Sequence, residues 1–307
     1  MTPSRIFTFA LSSSLLLACG DLPEPGTKVD SLRVLAESVD QPIARPGETV
    51  QLSSLWHDPE GRTVTWAWAS CVNPQSSDLA GCLARIAEQP DPEAAIFALG
   101  PDESAPTLSI PDDVISSLPA AARANAQVGV ISVACPAELS FGQGPGGLPF
   151  VCREGDGRQL ELHEFIVGLK RVRVRETDRN QNPIIEGITF DGEDWPEDEV
   201  KSVGSCDTSE FVYLDCADDH KHQLGVKLAE GVVERGTDEH GNRFEEQVVV
   251  QYYATEGIFE HEVKIAAQTK NGYVARKRAS GRELTLWFVA RDDRGGVAWT
   301  ERRVQVR

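Results

Sequence analysis

"RPGETVQLSSLWHDPEGRTVTWAW" (residues 45–68) is the stretch that decides the fold. Pro46-Gly47-Glu48 is a turn, because proline presets φ and glycine takes backbone conformations that other residues avoid. An alternating run from Thr49 to Trp56 follows, and "HDPEGR" (57–62) is a second turn. "TVTWAWASC" (63–71) then sets Val64, Trp66 and Trp68 on one face of a strand, with threonines and alanines on the other. Turn, strand, turn, strand at this spacing is the rhythm of an antiparallel sandwich.

The rhythm extends outward. "SLRVLAESV" (31–39) is strand-like, "PTLSIP" (106–111) is a short strand and "QVGVISVAC" (127–135) a longer one. A helical insert interrupts them. Asp78 caps it, and Leu79, Cys82, Leu83 and Ile86 fall at i, i+3, i+4 and i+7, which turns Cys82 inward toward Cys71. A weakly patterned helix is expected over 112–122. The glycine-rich "GQGPGGLP" (142–149) lacks the Lys-Ser/Thr pair of a phosphate loop and the spacing of a dinucleotide turn, so it reads as a surface loop between Cys135 and Cys152.

The pattern then repeats. "EFIVGLKRVRVRE" (164–176) and "VAWTERRVQVR" (297–307) both end in alternating Arg and Val, each after a similar apolar strand, "VISVAC" or "LTLWFVARDD". Two related domains are implied, with the polar "ETDRNQNPI" (176–184) as the join. The expected organisation is a signal peptide over 1–18, a tether over 19–30, one sandwich over 31–177 and a second over 178–307. Few core contacts are expected across the join. The second half carries "IIEGITF" (184–190), "HQLGVKLAEGVVE" (222–234), the turn "RGTDEHGNR" (235–243), "FEEQVVVQYYAT" (244–255) and "FEHEVKIAA" (259–267), nearly all antiparallel β.

The stretch at 45–68, together with "LWFVARDDRGGVAWTERRVQV" (286–306), resembles the immunoglobulin-like sandwiches of bacterial surface lipoproteins, in particular PKD-like and cadherin-like modules. The overall style is similar to lipoproteins abundant in myxobacteria and related δ-proteobacteria. The resemblance implies adhesion, scaffolding or envelope assembly and brings no catalytic residues.

The N-terminus supplies an address. Arg5 precedes the apolar run "FALSSSLLLA", too short to span a bilayer but of signal-peptide length. It ends Leu16-Leu17-Ala18-Cys19-Gly20, which resembles the lipobox of bacterial lipoproteins. In that family the cysteine carries diacylglycerol, so Cys19 is the expected lipidation site and palmitate-type chains the anchor. An outer-membrane location follows as an expectation, on the periplasmic face or the cell surface.

Seven cysteines are present, and lipidation of Cys19 leaves six: Cys71, Cys82, Cys135, Cys152, Cys206 and Cys216. An even set in an exported chain implies disulfides, and sequence alone does not choose among the pairings. The spacing favours 71–82, 135–152 and 206–216. Cys71 and Cys135 both end strands, so 71–135 is an alternative.

A net charge of −18 argues against nucleic acid and against anionic lipid as partners. A non-catalytic role is expected. His163-Glu164 and His261-Glu262 have Val167 and Ile265 at i+4, not a second histidine, and no G-x-S-x-G elbow occurs. No cofactor is expected. Asp218, Asp219, His220 and His222 form a weak metal candidate, because a strand would put the two histidines on one face. "FDGEDWPEDE" (190–199) and "RDDRGG" (291–296) offer oxygens that calcium favours. Trp195, within the first of these, is expected to be exposed and available to stack on sugar, whereas Trp66, Trp68, Trp287 and Trp299 read as core. The expected class is all-β, with two tandem Ig-like antiparallel β-sandwiches, the first bearing a short helical insert and a long disulfide loop. The expected function is a lipid-anchored envelope module with a protein or polysaccharide partner. The alternative is a calcium-dependent adhesin or carbohydrate binder; a hydrolase is less favoured.

Overall fold

The computed structural model describes residues 26–101, 103–207 and 213–307. The first sandwich holds β1 (Arg33–Val39), β2 (Ile43–Ala44), β3 (Thr49–His57), β4 (Thr65–Val72), helix α1 (Leu79–Ala87), β5 (Ile96–Gly100), β6 (Thr107–Ser109), β7 (Gln127–Cys135), β8 (Glu138–Phe141), β9 (Phe150–Arg153) and β10 (Ile166–Val174). The second holds β11 (Ile185–Phe190), β12 (Glu193–Trp195), β13 (Val200–Val203), β14 (Ser205–Cys206), β15 (His222–Leu228), β16 (Arg235–Thr237), β17 (Arg243–Glu245), β18 (Val249–Ala254), β19 (Ile258–Phe259), β20 (Val263–Ile265), β21 (Asn271–Arg276), β22 (Glu283–Arg291) and β23 (Val297–Val306).

The two halves share a strand order. In the first, β1-β3-β6 faces β2-β10-β7-β4-β5; in the second, β12-β11-β15-β21-β14 faces β13-β23-β22-β18-β20. One sheet of each sandwich carries a short parallel strand beside its last long one, β2 on β10 and β13 on β23. The protein is thus two tandem immunoglobulin-like sandwiches. Each encloses its own core, Trp66, Trp68, Leu52 and Val130 in the first, and Tyr252, Tyr273, Phe288 and Leu224 in the second.

Both sandwiches also have a covered outer face. Val128, Val130 and Ala134 of β7 point into the first core, while Ile131, Val133 and Cys135 point outward into a further apolar layer. That layer is made by Ile86 and Cys82 of α1, by Phe150 and Cys152 of β9, and by Leu148 and Leu160 of the loops on either side of β9. The helix forms where the spacing predicts it, and Asp78 caps it by accepting the Gly81 N–H at 2.8 Å. In the second sandwich Tyr213, Cys206, Cys216 and Ile258 cover Val274. Disulfides Cys71–Cys82, Cys135–Cys152 and Cys206–Cys216 hold these covers down. The 71–135 alternative is ruled out by register. Cys71 lies opposite Gly129 and Cys135 opposite Thr65, at opposite ends of the β4–β7 ladder, about 20 Å apart at the rise of a strand.

Two local expectations need correction. Residues 112–122 form turns followed by a 3-10 helix at Ala120–Asn125, because Pro111 and Pro119 bracket the segment. Trp195 is buried. Asp191 and Gly192, at φ 52° and 93°, make a two-residue hairpin turn that folds β12 back on β11. Trp195 thereby packs edge-on against Phe190 and donates its Nε1–H to the Glu199 carbonyl at 3.0 Å.

The sandwiches are docked face to face. Leu35, Ala36 and Leu55 of the β1–β3 face pack with Val29 on Tyr253, Trp287, Val289 and Val297 of the β18–β22–β23 face. Trp287 is therefore buried in the seam and not in a domain core, and Trp299 packs against the same cluster. The expectation of few contacts across the join is overturned. The chain also reverses direction. Arg33 stacks over Tyr253 and His57 meets Trp287 near one end, while the Val39 carbonyl accepts from Asn182 at the other. At the first end Thr27 and Val29 exchange backbone hydrogen bonds with Ala254, close to where the last strand finishes beside Glu283. Both ends of the described chain thus lie at one end of the molecule, and the linker lies at the other.

Candidate functional site

The seam is organised by a β-bulge. Register shifts between Val34 and Ala36, so Leu35 and Ala36 both face the second sandwich and Glu37 turns into the first. There the Glu37 carboxylate accepts from the Ser132 hydroxyl. The space for it exists because residue 168 is glycine: a Cβ there would strike both Ser132 Oγ and Glu37 Oε1. Burial pushes the Glu37 carboxyl up, against the opposing Ser132 hydrogen bond and the charges of Lys170 and Arg291. Burial brings Lys170 down to about 8, aided by neighbouring Arg291. Lys170 Nζ donates to the Gly295 carbonyl at 2.8 Å, and Arg291 donates to the Leu35 carbonyl at 2.6 Å, so both cations bridge the two sandwiches.

At the linker end, charge replaces apolar packing. Arg294, in the turn between β22 and β23, donates to both oxygens of Asp178 at 2.9 Å and to the Arg179 carbonyl at 3.0 Å. Its guanidinium lies 3.9 Å from the Phe244 ring centroid, a cation–π contact from the β16–β17 ribbon. The same ribbon brings Glu239 to the backbone N–H groups of Thr177 and Asp178. Arg179 reaches back to Glu48, whose carboxyl this pairing lowers to about 2. Asn182 closes the junction by accepting from Val297 N–H at 2.8 Å. The polar join is thus a riveted corner.

Beside this corner opens a groove of about 760 Å³. One wall is β10 and the residue that follows it, where Val172 and Val174 face the core and Arg171, Arg173 and Arg175 face out. The other wall is the 292–295 turn, and the floor and rim include Gln75, Ser77, Asn125 and Gln127. Among the described residues no carboxylate lies within salt-bridge distance of these three arginines. Arg173 donates only to the Asp293 carbonyl, and Arg175 only to the carbonyls of Ala126 and Val174. Burial pushes the Arg175 guanidinium down, with nearby Glu239 opposing. The groove was not anticipated from sequence, although the Arg/Val alternation of "KRVRVRE" (170–176) was visible.

The residues singled out from sequence fall elsewhere. Cys19 and the signal peptide lie outside the described residues. Asp218 and His220 belong to a 3-10 turn, and His222 begins β15 with its Nδ1 2.9 Å from Asp191 Oδ2. Asp218 pairs with Lys221. The four therefore do not converge, and among the described residues no group of three or more His, Cys, Asp or Glu is placed to hold a metal. The calcium-type oxygens are engaged. Asp292 accepts from the N–H of Arg294 and Gly296 and from Asn180, and Asp293 accepts from Gln247 N–H. Asp194 pairs with Lys227 and Glu199 with Lys201. Both His-Glu dipeptides lie on exposed loop segments. No helix among the described residues is long and apolar enough to cross a membrane.

No family model and no curated protein matches the chain. Among solved structures it is similar to the D0–D1 domain of intimin, at 10% identity over 89% of this chain and 98% of that one, with a TM-score of 0.22. It is similar to the N-terminal Ig1–2 module of the Drosophila receptor protein tyrosine phosphatase DLAR, at 9% identity over 90% and 99%, TM-score 0.24. The Yersinia pseudotuberculosis adhesin InvE is a third, at 8% identity over 89% of this chain and 60% of that one, TM-score 0.21.

Proposed function

We propose that this chain is a lipoprotein of the outer membrane, held through acylated Cys19, and that it acts as a non-catalytic binding or structural module. What supports the reading is the route of its first described residues. Thr27 to Val29 are bound along the second sandwich at Ala254, at the end opposite the linker corner. A chain anchored just upstream would be held by that end, with the groove and linker corner turned away from the bilayer. Face-to-face docking suits this role, because a rigid body transmits the position of its anchor to its far surface, whereas a hinged pair would not. Membrane fractionation with a labelled fatty acid tests the anchor. Cys19→Ala is expected to lose the label and release the protein. Retained label with unchanged membrane association would overturn the proposal.

A further inference from the structure

We propose that the groove at the linker corner binds an anionic polysaccharide, with Arg171, Arg173 and Arg175 as its cationic wall. This rests on the reading of the protein as an envelope binding module and names the ligand of that module. The first ground is charge. The chain carries −18, and Arg62, Arg158, Arg179 and Arg303 each sit against a carboxylate, of Asp58, Glu154, Glu48 and Glu283. What sets Arg171, Arg173 and Arg175 apart is that three successive outward side chains without a salt bridge line one groove. Arg175 is also half-buried and donates only to two main-chain carbonyls, with Glu239 acting on it from outside salt-bridge distance, so an incoming anion would add a direct charge partner.

The second ground is shape and lining. Alternate residues on a strand stand about 6.6 Å apart, so the three guanidiniums form a row about 13 Å long. A row of that length reads a linear chain with repeated charges better than a single ion. The amides and hydroxyl of Gln75, Ser77, Asn125 and Gln127 complement sugar hydroxyls. Asp292 and Asp293 also line the groove, but their carboxylates accept from turn N–H groups and from Asn180, so they shape its wall.

The third ground separates a glycan from an acidic peptide. Peptides dock commonly by adding a strand to a free sheet edge or by filling apolar pockets. β10 lies between β2 and β7 and offers no free edge at Arg173 and Val174.

Polygalacturonate serves as the probe, against its neutral methyl ester and against poly-glutamate, with the full chain purified in detergent. Binding is independent of the anchor there, so failure of the groove and failure of Cys19 lipidation are read separately. The native chain is expected to bind polygalacturonate, more weakly as salt rises, and to prefer it to both comparators. Arg171→Glu is expected to weaken binding roughly tenfold or more. Arg171 makes no side-chain hydrogen bond or ion pair among the described residues, although its charge acts on Asp78 at the cap of α1, so circular dichroism of Arg171→Glu is expected to match the native chain's and is checked before binding is read. Arg282→Glu, at the opposite end on an exposed turn, is expected to bind as the native chain does. No binding by the native chain, equal binding of the methyl ester, or equal binding by Arg171→Glu would overturn the proposal. Tighter binding of poly-glutamate would replace the glycan with an acidic peptide.

Discussion

Consider Trp287→Ala. Trp287 is 3% exposed, yet its indole belongs to neither domain core; it lies in the seam, with the His57 ring 5.0 Å away and its Nε1–H donated to Glu301 at 3.0 Å. A buried tryptophan removes about 150–250 Å² from water, worth roughly 4–6 kcal/mol at about 25 cal/mol per Å². Large-to-small truncations of this kind cost about 3–5 kcal/mol. Phe288 and Leu286, which face the opposite way from the same strand, stay in the second core. The loss therefore falls on docking and spares both sandwiches. Urea unfolding followed by circular dichroism is the assay. The native chain should unfold in one transition, because the seam couples its halves. The variant should lose about 3–5 kcal/mol and separate into two transitions of smaller m-value, since each exposes less surface. A variant within about 1 kcal/mol of native, still unfolding in one step with the native m-value, would refute the reasoning.

Three further outcomes follow from the seam. Gly168→Ala should cost more than about 1 kcal/mol, because the new Cβ meets Ser132 Oγ and Glu37 Oε1 and displaces a buried hydrogen bond; thermal unfolding would show it, and an unchanged midpoint would contradict it. Lys170 titrates near 8 when folded and at 10.5 as its ordinary value, so between these limits the unfolded chain binds more protons and stability rises with pH. That rise, on the order of 3 kcal/mol, should be missing from Lys170→Met in unfolding curves taken from pH 8 to 10.5; an equal slope in both proteins would refute it. The Glu48 carboxyl is lowered to about 2 by Arg179, so its contribution is present above 4.5 and disappears as pH falls toward 2. Glu48→Gln should accordingly be less stable than native at neutral pH and converge with it near pH 2, which an acid titration of unfolding would check.

Much of the sandwich was legible because one-sided burial writes itself as alternation. The two turns around Thr49–His57 and the Trp66/Trp68 face could be read directly, as could the Asp78 cap and the inward Cys82. The docking was harder to read, and the reason lies in β22. "TLWFVA" (285–290) is apolar on both faces, the mark of a strand buried twice. Leu286, Phe288 and Ala290 serve the core, while Trp287 and Val289 serve the seam. "GVISVAC" (129–135) carries the same mark for its disulfide-held cover. Trp195 was concealed by its acidic neighbours, although the Asp191-Gly192 dipeptide signals the hairpin that buries it. The β1 bulge, which turns Glu37 inward, follows from tertiary packing and leaves no local trace in "RVLAES" (33–38). The groove depends on which linker and turn residues meet across the seam, and no single stretch encodes that.

The central claim is that the two sandwiches lie face to face with the chain reversed between them. Small-angle X-ray scattering of residues 26–307 tests it most directly. A single body of that length has a radius of gyration of about 19 Å. Two sandwiches of half the length set end to end, with centres about 40 Å apart from the length of a sandwich, would give about 25 Å. The docked arrangement predicts a value close to 19 Å. A value near 25 Å would contradict it.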